Sequence, residues 1–160
     1  MIIESRFVKR MMALVLITSF VVLMVASGAF ARDLTKGQTL YVPAYSYIYH
    51  GNKGAKINVT TTLSVRNTSR EKEIRILRVD YHDTKGKLIR SYIEEPVVMA
   101  PLESLRYIVK LDDATGGSGA NFIIEWEADS AVDKPIVETI MLGTGASFGF
   151  AFLTQAVEVE

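Results

Sequence analysis

The 160-residue chain contains no cysteine. This absence excludes disulfide bonds, thiol nucleophiles, redox-active dithiols and thiolate zinc sites. It also excludes a lipid anchor on a cysteine that follows a leader sequence. The stability of the fold must therefore come from an apolar core, and a chain of this length can bury one without covalent cross-links.

The chain also lacks an excess of charge of one sign. It has 18 basic and 18 acidic residues, so its formal net charge is zero. A general nucleic-acid binder needs a basic face, and we therefore expect no nucleic-acid partner. The sequence has no repeat, no low-complexity tract and no convincing amphipathic helix. We find no cofactor-binding motif either, and we expect no cofactor.

The N-terminus has the pattern of a secretory leader. Basic residues between Arg6 and Arg10 precede an uncharged apolar run, and the segment closes with an Ala-Phe-Ala triplet at Ala31. A positive segment, an apolar segment and an Ala-x-Ala end are typical of a signal peptide. We predict that residues 1–31 are a cleaved signal peptide and that residues 32–160 form a single domain. We expect this domain to be periplasmic or secreted.

The same leader segment allows an alternative interpretation. Met11 to Ala31 carries no charge. At a rise of about 1.5 Å per residue, a helix of this length just spans a hydrocarbon core of about 30 Å. The segment would then be an uncleaved membrane anchor, and it would be the part of the chain that contacts lipid. N-terminal sequencing of the exported protein separates the two hypotheses.

Beyond the leader, the sequence consists of short alternating runs separated by turn signals. The clearest run lies between Ile57 and Arg66, where apolar and polar residues alternate and define a half-buried strand. A tight turn at Asp83 to Gly86 joins two further runs. About seven to nine short strands in a domain of this size are typical of an immunoglobulin-like or fibronectin-like antiparallel β-sandwich. We therefore predict an all-β fold.

Two of the predicted strands have specific patterns. Tyr41 to His50 is predicted as one strand that Pro43 interrupts, which fits an edge strand or a bulge. Glu73 to Tyr81 is predicted as a regular strand. Strict alternation places Ile74 and Ile76 on one of its faces, and Leu77, Val79 and Tyr81 on the other.

Tyrosines recur at every second position of the first of these strands. Tyr45, Tyr47 and Tyr49, together with Tyr41 and Pro43, would line one face of a regular strand. On an exposed face such a stripe can stack on sugar rings or anchor a protein partner. On a buried face it fills the core. We predict Tyr45, Tyr47 and Tyr49 as candidate binding residues.

A glycine-rich loop between Asp112 and Asn121 has the most unusual composition of the predicted domain. Its backbone N–H groups could form an anion nest, and the oxygens of Asp112, Asp113 and Asn121 could bind calcium. Ser118 lies in a sequence that approaches the G-x-S-x-G nucleophile pattern, but that pattern needs a strand–turn–helix, and strand-like residues follow here. The alternative without a ligand is a wide, flexible loop that connects two strands. Asp112, Asp113, Ser118 and Asn121 are candidate binding residues.

The two histidines suggest a possible metal site. His82 lies between Asp80 and Asp83, and neighbouring carboxylates can orient an imidazole or share a metal ion with it. His50 could complete the ligand set. An Asp-Tyr-His-Asp-Thr segment is also typical of an ordinary hairpin turn, because aspartates bond nearby backbone N–H groups. These four residues are candidate metal ligands, and we identify no catalytic constellation.

Several blocks of the sequence resemble an uncharacterised bacterial family of small exported proteins, known only as a numbered domain of unknown function, the three-one-two-four family. The resemblance covers Leu40 to Phe152. It implies a bacterial source and a periplasmic or secreted location, and it implies no activity and no functional residues. The matching blocks are Tyr41 to Ser46 with Ile48-Tyr49, Leu63 to Thr68, Pro101 to Ser104, Gly116 to Phe122 and Glu125-Trp126.

Three functional hypotheses follow. The first is a non-enzymatic envelope module that binds an unknown envelope protein or a glycan, through an edge strand or through loops. The second is a metal-assisted hydrolytic enzyme that uses His82 with its neighbouring carboxylates. The third is a structural component of the envelope.

Overall fold

The computed structural model describes Met12, residues 33–144 and residues 148–159. The predicted signal peptide, residues 1–31, lies outside the described residues apart from Met12. Asp33–Glu160 forms one compact unit. Within the described part of the chain, no helix has the length and apolar character needed to cross a membrane.

The described residues contain eleven β-strands and one short 3₁₀ helix. In chain order the strands are β1 (Leu34–Pro43), β2 (Tyr47–His50), β3 (Ala55–Arg66), β4 (Ile74–His82), β5 (Leu88–Ser91), β6 (Val97–Met99), β7 (Ser104–Val109), β8 (Asn121–Asp133), β9 (Ile136–Thr144), β10 (Gly149–Gln155) and β11 (Val157–Val159). The 3₁₀ helix η1 spans Gly117–Gly119, inside the glycine-rich loop.

The strands form two antiparallel sheets. Sheet 1 has the order β11-β1-β8-β4-β5, and β6 also pairs with β4. Sheet 2 has the order β10-β9-β3-β2, and β7 also pairs with β3. The predicted antiparallel sandwich is therefore confirmed. The number of strands is high because two long strands each pair along one edge with two short strands. β5 and β6 pair with different parts of β4, and β2 and β7 pair with different parts of β3.

The core lies between the inner faces of the two sheets. The strand predicted between Ile57 and Arg66 is β3, and its alternation holds, with Val59, Leu63 and Val65 fully buried. From sheet 1, Phe122 and Ile124 of β8 pack against them in one continuous apolar cluster. This burial is the main stabilising contribution in a chain without disulfides.

The regular alternation predicted for β4 is wrong. The register of β4 against β8 shifts between Ile76 and Arg78, which marks a bulge in β4. One extra residue reverses the alternation beyond it. As a result Ile76 and Tyr81 face the same core, and Leu77 is exposed instead of sharing the face of Val79 and Tyr81.

The single strand predicted from Tyr41 to His50 is also wrong, because the chain changes sheet within it. β1 ends at Pro43 in sheet 1, and β2 begins at Tyr47 in sheet 2. Between them, the Ala44 N–H donates to the Ala120 carbonyl and the Ser46 N–H to the Gly117 carbonyl, both at 2.8 Å. The bonds from these amides to the glycine-rich loop fix the crossing. Side chains on its two sides therefore do not share a face.

Candidate binding site

Several elements meet at one end of the sandwich, which we call the loop end. Asn121, the first residue of β8, pairs with Pro43 at the end of β1 and with His82 at the end of β4. The glycine-rich loop therefore lies beside the Asp83–Gly86 turn that follows β4. β2 contacts η1, so the β2–β3 hairpin borders the same end.

The glycine-rich loop is tied down on its inner side. The Gly116 carbonyl accepts hydrogen bonds from the Thr84 N–H at 2.9 Å and from the Thr84 hydroxyl at 3.0 Å. The Gly119 N–H donates to Thr84 Oγ1 at 3.1 Å. With the bond from Ser46 to Gly117, these contacts join the loop to the β4–β5 turn and to the β1–β2 crossing. The loop is thus a hydrogen-bonded part of the fold and not a free connection.

Close packing against a buried tyrosine explains the glycine at position 116. The Tyr81 side chain is fully buried, and its hydroxyl lies 2.8 Å from Ser46 Oγ. A Cβ atom on Gly116 would lie only 1.9 Å from the Tyr81 hydroxyl oxygen. Burial raises the pKa of Tyr81, and the Ser46 hydroxyl partly offsets this rise. Tyr81 therefore acts as a neutral, hydrogen-bonded core residue.

Hydrogen bonds and an ion pair occupy several of the loop groups that an anion nest or a calcium site would use. The Thr115 N–H donates to Asp113 Oδ1 at 3.2 Å, and the Gly117 N–H to the Ala114 carbonyl at 3.3 Å. Asp113 Oδ2 accepts from Arg90 at 2.9 Å. Burial opposes ionisation of Asp113, but the hydrogen bonds from Thr115 and Arg90 outweigh it and hold the pKa of this carboxyl below its usual value.

An aromatic pair faces outward next to this locked loop. The β2–β3 register places Tyr47 opposite Asn58 and Tyr49 opposite Lys56, on the outer face of sheet 2. The two rings pack edge to face, with centroids 5.5 Å apart and an interplanar angle of 84°. The Lys56 ammonium lies 4.2 Å from the Tyr47 ring centroid and 5.9 Å from that of Tyr49. Tyr49 is 55% exposed, so much of its ring is open to a ligand.

The hydroxyl groups of this pair influence each other and reach the loop. The neighbouring Tyr49 hydroxyl and then Lys56 lower the pKa of Tyr47. Tyr47 in turn raises the pKa of Tyr49, and the Ser118 side chain acts in the opposite direction. Ser118 belongs to η1, which contacts β2, and it therefore adjoins Tyr49. We call Tyr47, Tyr49, Lys56 and Ser118 the tyrosine–loop surface.

The other predicted binding residues lie elsewhere. Tyr45 turns toward the sandwich, where its ring packs edge to face on Phe152 at 5.5 Å. Asn121 is only 9% exposed, because β8 lies between two neighbouring strands. Asp113 forms the ion pair with Arg90. Asp112 is exposed in the turn after β7. The loop end therefore gathers Tyr47, Tyr49 and Ser118, and leaves these other residues out of the surface.

Sequence reasoning did not identify Lys56. The available signal was the hairpin itself. A turn at His50 to Gly54 between two alternating runs places the first residues of β3 opposite the last residues of β2. In this register Lys56 pairs with Tyr49, and the two side chains share a face.

The candidate metal ligands have other roles or positions. Asp80 accepts a hydrogen bond from the Ser91 hydroxyl at 2.6 Å. Asp83 accepts from the backbone N–H groups of Lys87 and Lys85 at 2.9 and 2.8 Å, and these bonds lower its pKa. His82 Nδ1 is buried without a hydrogen-bond partner, whereas His50 is exposed at the end of β2. In the described ranges, no group of three or more His, Asp or Glu residues could hold a metal ion.

The architecture is thus an all-β sandwich with an exposed aromatic surface beside a locked loop. The chain belongs to the family described as protein of unknown function (DUF3124), whose model matches residues 37–159. This match confirms the family resemblance that the sequence blocks indicate. No curated protein matches the chain. The crystal structure of Thermotoga maritima 1070 is similar at 16% sequence identity and a TM-score of 0.45, over 75% of this chain and 92% of that one.

Proposed function

We propose that this domain is a non-catalytic binding module of the bacterial envelope and that the tyrosine–loop surface recognises a glycan. The observation that carries the proposal is the outward Tyr47–Tyr49 pair, held under Lys56 beside a hydrogen-bonded loop. The predicted signal peptide supports an exported location, where envelope glycans are the abundant ligands.

The geometry of the pair suits a sugar ring. Tyrosine offers a flat apolar face together with a polar hydroxyl, so it can stack on a pyranose and bond its hydroxyl groups. Tyr49 supplies the open face, since more than half of the residue is exposed. Tyr47 is more enclosed and supports Tyr49 edge to face.

Rigidity of the support strengthens this proposal. A binding residue on an ordered scaffold loses less conformational entropy when a ligand binds. β2 pairs with β3 along its whole length, and the adjoining loop bonds to Thr84 and Ser46. The surface therefore needs little reorganisation to accept a ligand.

Replacement of Tyr49 by alanine tests the proposal. Tyr49→Ala removes the exposed stacking face, and we expect a loss of binding of about tenfold or more, as for removal of an aromatic anchor. The measurements are cosedimentation with purified peptidoglycan sacculi and retardation in native gels cast with dextran or with polygalacturonate.

The matched control is Leu153→Ala, which truncates a residue of similar exposure, 57%, on the edge strand β10. Both variants alter an exposed side chain, so each should change the free energy of unfolding by no more than about 0.5 kcal/mol. If Tyr49→Ala binds every glycan as well as Leu153→Ala does, or if no glycan binds the unaltered protein, the proposal is wrong.

A further inference from the structure

The β2–β3 hairpin combines an unpaired cation with donor groups that face the same space as Tyr49. In residues 33–144 and 148–159, Lys56 forms no ion pair with a carboxylate. Its ammonium lies over the Tyr47 ring instead. The Tyr47 ring face attracts the charge, and the Tyr47 hydroxyl interacts with only part of the hydrogen-bonding capacity of the three N–H groups. The ammonium therefore keeps donors available for an incoming anion.

The distribution of charge along the sequence favours an anion at this place. Residues 34–70 contain no aspartate or glutamate, whereas Lys36, Lys53, Lys56, Arg66 and Arg70 lie among them. The acidic residues of the neutral chain lie outside this stretch. Within the hairpin itself, residues 47–58 contain Lys53 and Lys56 and no acidic residue, and a local excess of positive charge attracts anions.

Two hydroxyl-bearing rings lie next to the ammonium, and a third hydroxyl group, that of Ser118, adjoins one of them. Tyr47 and Tyr49 lie beneath and beside Lys56, and Ser118 adjoins Tyr49 from the loop. The Tyr47 hydroxyl also lies close to the loop backbone, 3.8 Å from the position that a Cβ on Gly117 would take. Hydroxyl groups also donate to carboxylate oxygens, and a bond to a charged acceptor is stronger than a bond between neutral groups.

We infer that Lys56, together with the hydroxyl groups of Tyr47, Tyr49 and Ser118, forms a subsite for the carboxylate of an acidic sugar. The ring of that sugar would stack on the open face of Tyr49 while its carboxylate meets the ammonium. This inference rests on the proposed function, and it adds the ligand class: a glycan that contains carboxylated sugars.

The test compares three soluble polymers at about 0.15 M salt, where nonspecific long-range attraction is largely screened. Polygalacturonate offers both the sugar ring and the carboxylate, dextran the ring alone, and poly-glutamate the carboxylate alone. Isothermal titration calorimetry gives the Kd for each. We expect polygalacturonate to bind at least about tenfold more tightly than either of the others, because charge-assisted bonds and stacking contribute together.

Two lysine variants separate a specific subsite from a diffuse basic charge. Lys56→Gln should weaken polygalacturonate binding about tenfold, as expected for loss of a bond to a charged group. Lys53→Gln removes the same charge from the exposed turn of the same hairpin, and should change the Kd by less than about twofold. Equal losses in the two variants, or equal affinity for poly-glutamate and polygalacturonate, would overturn the inference.

Failure of this inference differs from failure of the proposed function. The protein could bind dextran and polygalacturonate with equal affinity, lose this binding in Tyr49→Ala and keep it in Lys56→Gln. That outcome would contradict the acidic subsite and support a neutral-glycan module. Absence of binding to all three polymers and to sacculi would contradict both.

Discussion

Tyr81 and Tyr49 lie on opposite sides of the glycine-rich loop, and they differ in exposure and in partners. Tyr81 on the inner side is fully buried, and its hydroxyl is paired with Ser46. Tyr49 on the outer side is 55% exposed and packs edge to face on Tyr47. Tyr81 restricts which residues fit at position 116 of the loop, whereas Tyr49 has little influence on the fold.

This difference separates stability from recognition within one short segment. The inner contacts at Gly116 and Thr84 position the loop, and the outer side presents Ser118 next to the aromatic pair. Substitutions on the inner side should therefore change the free energy of unfolding. Substitutions on the outer side should change binding alone.

The largest effect is expected for Gly116→Ala. The added methyl group would meet the Tyr81 hydroxyl oxygen at 1.9 Å and the Ala120 Cβ at 2.7 Å. Both neighbours are buried, so neither can move aside to relieve the strain. Overpacking of this kind costs about 3 kcal/mol. Urea unfolding followed by tryptophan fluorescence measures the loss.

A second glycine of the same loop is the control for this prediction. In Gly119→Ala the new Cβ would lie 3.1 Å from the Thr84 Cγ2 atom, a contact that small shifts of an exposed side chain relieve. We expect a loss of no more than about 1 kcal/mol. A loss in Gly119→Ala equal to that in Gly116→Ala would show that the inner tyrosine does not dictate the loop sequence.

A smaller effect is expected when the buried hydroxyl pair is broken. Tyr81→Phe leaves Ser46 Oγ buried without its partner, which should cost about 1–2 kcal/mol. The double variant Tyr81→Phe/Ser46→Ala should lose less than the sum of the two single variants, because it leaves no unpaired group. Strict additivity in this double-mutant cycle would contradict the role assigned to the pair. Unfolding curves of the four proteins provide the measurement.

The smallest effect is expected from acidification of the loop. The pKa of Asp113 is below its usual value in the folded protein, so its contribution to stability is fully present above the unfolded pKa of about 4. That contribution is lost as pH falls through the lower, folded pKa. Wild-type protein should therefore lose more stability between pH 6 and pH 3 than Asp113→Asn, measured by urea unfolding at both pH values.

Asp112→Asn is the control for the pH prediction, since it changes the adjacent, exposed aspartate. Its pH dependence should follow the wild type. If the stability of Asp113→Asn also changed with pH as that of the wild type does, the ion pair between Asp113 and Arg90 would have no stabilising role.

Alternation and turn chemistry were enough to predict the all-β sandwich and the inner face of β3, because the period-two pattern there is uninterrupted. The pattern failed in β4, where a bulge that no residue type announces reverses the faces beyond Ile76. It failed again between Pro43 and Tyr47, where backbone bonds to the distant residues Gly117 and Ala120 carry the chain from one sheet to the other.

Part of the candidate site could be found in the sequence. The tyrosine repeat and the glycine-rich loop stand out by composition, and Tyr47, Tyr49 and Ser118 do meet. Their separation from Tyr45, and their association with Lys56, could not be derived. Both depend on where the chain crosses between sheets and on the hairpin register.

The sequence by itself determined the fold class and the absence of any cysteine chemistry, because composition and local periodicity are properties of the chain. The family, too, is recorded in the sequence, in the blocks that resemble it and in the match over residues 37–159. Only the tertiary structure decided which tyrosines are buried and which are presented to a ligand. That division depends on contacts between residues far apart in the chain, such as Ser46 with Tyr81 and Thr84 with Gly116. No local pattern encodes such contacts.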